Sequence, residues 1–379
     1  MHEKRRKLLK QIGTAAGIIG ASTLLSKLTP PAFPQTTPVE IEPGSFVSPA
    51  DYIVFERGGE YYAKNGGTGE IEFGPSDDAS QVIQQTIDAL GTVGGRIKIK
   101  RGVYELNKPI NLTSAKYIFL EGESYVKTVL KAMTTMDKVI NLEYTSTVEW
   151  WGGVKNLYID CNNVADYGLF LKYAPTGVIE DVIVRYAVLD GVYIGPNSYT
   201  NVLKFVQAWN SGRHGIFVEA ANRVTLLGCR GVGCSKDGLH IRGDMTSAPA
   251  VLGGSFEANS EHGIYAETQD ESGAWKLVRS ILIAGVHFEN NSLWDIRLGT
   301  DGKNWVYGGA IVGCLMKSDN MLNLEKCKGI VVHGNEFLGT GTKVSIGSAS
   351  ENIRFIANDG LTVLAYALNK NLTIEVGTG

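Results

Sequence analysis

The sequence predicts an all-β solenoid with a short N-terminal capping helix. Three observations predict it: a phrase that recurs at a near-fixed interval, period-two alternation inside each phrase, and a glycine excess. The phrases are Tyr167-Gly168-Leu169-Phe170-Leu171, Asp190-Gly191-Val192-Tyr193-Ile194, His214-Gly215-Ile216-Phe217-Val218, Asp237-Gly238-Leu239-His240-Ile241 and His262-Gly263-Ile264-Tyr265-Ala266. Their glycines step by 23, 24, 23 and 25 residues, a period that signals stacked coils. The residues one and three after each glycine are apolar while the one between varies, the pattern of a half-buried strand. The 379 residues include 46 glycines, above the roughly 7% of an ordinary chain, and the excess is expected at tight coil corners.

The chain opens outside this pattern. Lys4-Arg5-Arg6-Lys7-Leu8-Leu9-Lys10 precedes an apolar run from Ile12 to Leu25 and a proline-rich stretch from Pro30 to Pro38. A basic region followed by an apolar run shorter than the roughly 20 residues of a membrane span describes an export signal. The paired arginines resemble a twin-arginine signal. Residues 1–38 are therefore expected to be signal and linker, with the mature protein secreted or at the cell surface. Membrane contact is expected only through this signal, if it stays uncleaved. Residues 39–75 read as a small β-hairpin segment, because Tyr52 to Ala63 and Glu70 to Phe73 alternate around Gly58-Gly59 and Asn65-Gly66-Gly67. Asp77-Asp78 then stand at the N-cap of a helix over 79–90, with Val82, Ile83, Ile87 and Leu90 on one face and Gly91 closing it. The solenoid is expected to span 76–379.

Gly94-Gly95, the strand Arg96 to Lys100, Gly102-Val103-Tyr104 and Leu120-Glu121-Gly122-Glu123 follow that helix. This opening resembles the pectate-lyase-like, polygalacturonase-like superfamily. The resemblance implies a right-handed parallel β-helix whose N-terminal end the helix caps. It leaves the reaction open among lyase, hydrolase, epimerase and non-catalytic binder. A second strand per coil is visible at Val154 to Ile159, Val178 to Val184, Val202 to Val206, Arg223 to Leu227, Ile281 to Val286, Ile311 to Cys314 and Ile330 to Val332. Insertions at Asp244 to Pro249, Gln269 to Trp275 and Gly299 to Trp305 are expected to wall a binding face. Asn210-Ser211, Asn259-Ser260 and Asn291-Ser292 read as one stacked corner.

Parallel stacking sets equivalent positions about 4.8 Å apart, so each column of the repeat becomes a ladder. The position before the glycine holds Tyr167, Asp190, His214, Asp237 and His262, and the outward position two after it holds Phe170, Tyr193, Phe217, His240 and Tyr265. Asp and His before Gly also serve as turn residues. Four consecutive titratable members, however, perturb one another as acid and base groups do. Asp190, His214, Asp237 and His262 are thus the catalytic candidates, with Asp237, flanked by imidazoles, expected to do the acid or base work. Tyr193, Arg213, Phe217, Lys236, His240, Tyr265 and Arg297 are the substrate-binding candidates, with Trp150-Trp151 at the rim. Phe217 is expected to face outward as a sugar platform, so that Phe217→Ser leaves stability nearly unchanged.

Two chemistries fit these columns. Asp190 and Asp237, two coils apart, could act as the carboxyl pair of a glycosidase. Degraded forms of polygalacturonase motifs are visible, without that family's adjacent Asp-Asp pair. Alternatively, Arg213, Lys236, His240, His262 and Tyr265 supply the base and cation needed to take a proton next to a uronate carboxylate. No cofactor is required by the pattern and calcium stays open, with Asp160, Asp190 and Asp237 the acids available to it.

Without residues 1–34 the chain carries 30 basic against 38 acidic residues, a net charge of −8. Such a surface does not attract nucleic acid or anionic lipid. The odd number of dispersed cysteines makes no disulfide framework. The chain is expected to be a monomer or homotrimer that acts on a polysaccharide. The alternative is a non-catalytic glycan-binding surface or adhesion protein.

Overall fold

Aliphatic residues repeating at period two within each coil stack the chain into the expected right-handed parallel β-helix. The structure, a computed structural model, describes residues 49–113, 116–147, 150–243, 246–268, 277–300, 305–341, 343–360, 363–365 and 371–375. The signal and linker at 1–38, the insertion at 269–275 and parts of those at 244–249 and 299–305 lie outside the described residues.

The phrases form one parallel sheet of eleven strands, from Ile110–Asn111 to Val363–Ala365. The register is phrase on phrase: Ile216 pairs with Val192 on one side and Leu239 on the other, and Leu239 with Ile264. The glycine column follows from this stacking rather than from unusual backbone angles. A Cβ on Gly215 would stand 2.6 Å from the carbonyl oxygen of Gly238, and one on Gly191 2.7 Å from that of Gly215. Only glycine lets the coils close to strand spacing here.

The rest of each coil builds two further ladders, where the sequence reading finds one. Gly153–Asp160 and Val178–Arg185 run through both. In the next coils they separate into Val202–Lys204 and Gln207–Trp209, then Thr225–Leu227 and Arg230–Val232. The corner between the two ladders turns on a left-handed residue in each coil, Asn156, Asp181, Phe205, Gly228, Gly253, Gly285, Gly313 and Gly334, with φ between 52° and 65°, followed at one corner by a second, Gly254, with φ 85°. Glycine adopts that conformation without strain and asparagine or aspartate tolerates it. A one-residue bend carries too little turn chemistry to interrupt the hydrophobic pattern, so the third strand merges with the second in the sequence.

The helix Ala79–Leu90 closes the N-terminal end. Its start is held by the Asp78 carboxylate, which accepts the Ser80 backbone N–H at 3.0 Å, and Val82, Ile83 and Ile87 are fully buried beneath it. Tyr52–Arg57 pairs antiparallel with Glu60–Asn65 and parallel with Gly95–Ile99, which joins the hairpin segment to the first coil. No helix among the described residues is long and apolar enough to cross a membrane. All five cysteines are free and buried, and burial raises their thiols, Cys229 to about 12. They behave as small hydrophobes.

The corner before the phrases carries the expected asparagine ladder in two coils, at Asn259 and Asn291, with Cys234 in the same column one coil earlier. Asn259 Nδ2 donates to Asn291 Oδ1 at 2.9 Å, and Asn259 Oδ1 accepts the Cys234 backbone N–H at 3.1 Å. Ser211, not Asn210, occupies this column: Ser235 N bonds to Ser211 O just as Ser260 N bonds to Cys234 O. Asn210 sits one position earlier with φ 54°.

Candidate functional site

In each phrase the residues flanking the buried aliphatic pair point away from the core, so the column before the glycine and the aromatic column share the outer face of one sheet. Facing outward does not leave them open. Asp190, His214, Asp237 and His262 are 0–6% exposed. Phe170, Tyr193 and Phe217 form an apolar cluster of their own with Tyr167 packed against it. The Arg213 and Arg242 guanidiniums lie 5.3 and 5.1 Å from the Phe217 ring centroid, leaving that ring 2% exposed. The expectation of an open sugar platform at Phe217 is therefore corrected: adjacent rings and guanidiniums roof one another. Ile216→Asp should cost several kcal/mol by burying an unpaired charge. Phe217→Ser should cost about 3 kcal/mol by emptying its site, measured by urea unfolding. A Phe217→Ser protein as stable as wild type would contradict this packing.

The hub of the site is Asp237. Its Oδ1 lies 2.7 Å from His262 Nδ1 and accepts the His262 backbone N–H at 3.1 Å, while its Oδ2 lies 2.7 Å from His240 Nδ1. His214 Nδ1 stands 3.1 Å from Oδ2 but off the line of a hydrogen bond, so it is a charge neighbour rather than a bonded partner. Burial alone would raise this carboxyl. The three imidazoles overcome burial and hold it well below the usual carboxylate range. Asp237 is thus held as an anion, which leaves it no proton to give as an acid.

The imidazoles differ among themselves. His240 Nε2 meets Glu267 Oε2 at 3.0 Å. With a carboxylate at each nitrogen, His240 is raised above the ordinary histidine value despite its burial, and Glu267 is lowered against its own burial. Burial dominates at His214 and lowers it. His262, with Nδ1 held by Asp237, has its Nε2 buried and without a partner. A donor Nδ1–H toward the carboxylate leaves a lone pair at Nε2, the arrangement of an oriented base.

The other candidates fall into place around this hub. Asp190 is committed to Arg213, whose Nε donates to Oδ1 at 2.8 Å and whose second nitrogen donates to Oδ2. Tyr193 donates its hydroxyl to Glu219 at 2.6 Å. Lys236 is exposed. Tyr265 is half-buried, 4.8 Å from the His262 ring, with the Arg297 guanidinium 5.1 Å over its own. Burial pushes the Tyr265 phenol up, so it stays protonated. Arg297 Nε and Asn323 Oδ1, register neighbours, are also buried without partners. Trp151 is 52% exposed, but Trp150 is buried in the core and cannot form a rim.

Three residues of this face are absent from the sequence reading. Glu219, Arg242 and Glu267 are register partners on successive coils, and Arg242 Nε donates to Glu219 Oε1 at 2.8 Å. Their alternating sign, two positions after the aromatic column, stands in the residue immediately after each of these phrases.

The acids proposed for calcium do not converge. Asp160 belongs to a different ladder, Asp190 is paired with arginine and Asp237 with imidazoles. The ligand atoms of His214, Asp237 and His240 lie within 4.8 Å of one another. Such an imidazole-rich set suits a transition ion rather than calcium. A cleft of about 410 Å³ lies at the N-terminal cap, lined by Asp78, Gln81, Gln84, Gln85, Asp88 and Lys108 among others. It contains none of the hub residues.

No protein-family model matches the chain, and no curated protein matches it. Solved structures do. The chain resembles the A-module of the Azotobacter vinelandii mannuronan C-5 epimerase AlgE4 at 17% identity and TM-score 0.51, over 79% of this chain and 92% of that one. It resembles the AlgE6 A-module from the same organism at 16% and 0.53, over 79% and 94%. It also resembles the Streptococcus pneumoniae surface protein and adhesin PfbA at 13% and 0.52, over 79% and 96%. At these identities the likeness is one of fold: this chain has the β-helix that these proteins share.

Proposed function

We propose that the protein is an exported, polysaccharide-active enzyme that removes the proton beside the carboxylate of a uronate residue, as a lyase or an epimerase. The observation that carries this reading is the Asp237–His262 pair, with a buried, unpartnered Nε2 on a ring that packs against Tyr265 beneath the Arg297 guanidinium. His262 Nε2 takes the C5 proton, Arg297 neutralises the charge that develops on the substrate carboxylate, and Tyr265 is the proton donor. Donation to O4 as that bond breaks leaves an unsaturated uronate; donation to the opposite face of C5 inverts it. Asp237 orients the base and His240 keeps the hub's charge balanced. Two structural neighbours named as mannuronan C-5 epimerases support this choice of chemistry.

Hydrolysis fits less well. A glycosidase needs a carboxylic acid that stays protonated, whereas Asp237 and Glu267 are held as anions, Asp190 is ion-paired to Arg213, and Asp295, which burial raises to about 6, is fully buried and bonded to Asn291 and Ser318. The non-catalytic reading has one observation in its favour, the near-complete burial of the histidines, and a neighbour named as an adhesin. Incubation with a polysaccharide panel separates these readings. New reducing ends with absorbance of an unsaturated uronate mean lyase, inversion at C5 without cleavage means epimerase, and reducing ends alone mean hydrolase. Binding without turnover means adhesin.

Export rests on Arg5-Arg6. A fusion of residues 1–38 to a reporter exported only when folded should leave the cytoplasm, and replacing both arginines by lysine should stop it. Continued export of the double variant would remove the twin-arginine reading.

A further inference from the structure

We propose that a second face of the solenoid, the ladder just before the asparagine corner, carries a separate binding surface for an acidic oligosaccharide. It is built from Tyr158, Arg185, Trp209 and Arg230, which four successive coils bring together. The Arg185 guanidinium carbon lies 3.9 Å from the Trp209 ring centroid and 5.7 Å from that of Tyr158, and Arg230 approaches Trp209 from the other side at 5.7 Å. The indole is thus flanked by two cations.

The two arginines are not equivalent. Arg230 is satisfied, with its Nε donating to Ser255 Oγ at 2.9 Å and its terminal nitrogen 3.7 Å from Glu257. The Arg185 guanidinium lies among aromatic rings with the Tyr158 hydroxyl beside it, and no carboxylate among the described residues lies within 4.0 Å of its nitrogens. Its register neighbour Asp160 turns to accept the Asn162 backbone N–H at 2.9 Å. Arg185 Nε and Trp209 Nε1 are both buried without a hydrogen-bond partner. Two adjacent orphan donors, one of them cationic, call for an oxygen-rich anion. A flat indole beside a guanidinium fork offers a sugar ring its face and a carboxylate its two hydrogen bonds. The surface stands whether or not the phrase sheet turns the glycan over.

Indole N–H resonances of the ¹⁵N-labelled full chain report on it, with that of Trp209 assigned by its loss in Trp209→Phe. Millimolar oligogalacturonate should shift the Trp209 resonance, more weakly at high ionic strength. Malto-oligosaccharide and sodium acetate should leave it in place. Arg185→Gln should weaken the response about tenfold or more, the loss of a charge-assisted hydrogen bond. An unmoved Trp209 resonance, an equal shift with the neutral sugar or with acetate, or an unchanged affinity in Arg185→Gln would overturn the proposal. None of these results depends on turnover at His262.

Discussion

Asp237→Asn is expected to destabilise the protein by about 3–5 kcal/mol, the range for removing one partner of a buried charge network. The amide fills the same space. It offers a single acceptor oxygen to two imidazole N–H groups that now share a carboxylate, and turns an N–H₂ toward one of them. His240, raised by Asp237 and Glu267 together, then keeps only Glu267. The sign of the pH effect follows from the two shifts. Asp237 is depressed in the fold, so its stabilisation is present above its ordinary value of 3.8 and is lost as pH falls through the folded value. His240 is raised, so its stabilisation is complete below 6.5 and is lost as pH rises through the folded value. Asp237→Asn should therefore lose most stability between these limits, and Glu267→Gln, which removes a second depressed carboxyl and one of the two partners that raise His240, should lessen the loss at both ends. Urea unfolding across pH measures both. An Asp237→Asn protein as stable as wild type near pH 6 would show that the three imidazoles do not depend on that carboxylate.

His262→Ala is expected to lower turnover by about 10²–10⁴, the usual contribution of a positioned acid or base, with little change in KM. Its Nε2 is unpartnered in the fold, so the substitution removes the base and strands one acceptor, Asp237 Oδ1, which loses the His262 imidazole. Arg297→Gln should instead lower turnover on uronate polymers while leaving the pH profile in place. If His262→Ala kept full activity on a confirmed substrate, the base would be another residue and the Asp237 hub would be architecture.

The fold was legible because a solenoid writes the same requirement into every coil. Glycine recurs where a Cβ would strike the next coil's carbonyl, and aliphatic residues recur at inward positions. The third ladder was not legible, because a single left-handed residue separates it from the second. The outer columns were correctly located, but their charge states were not, since each depends on partners one coil away. Asp190 reads as a free carboxylate until Arg213 of the next coil is set beside it, and Asp237 as a titrating acid until histidines of three coils surround it. Phe217 reads as exposed because the alternation points it outward. The sequence pattern does not show the guanidiniums of Arg213 and Arg242 above it.

Exchange of the C5 proton with solvent tests the central claim most directly. The protein, incubated with polymannuronate and polygalacturonate in D₂O, should introduce deuterium at C5 or release unsaturated uronate, followed by NMR, and His262→Ala should abolish both. Cleavage to saturated ends with C5 fully protonated would contradict proton abstraction, as would binding of either polymer with no exchange at all.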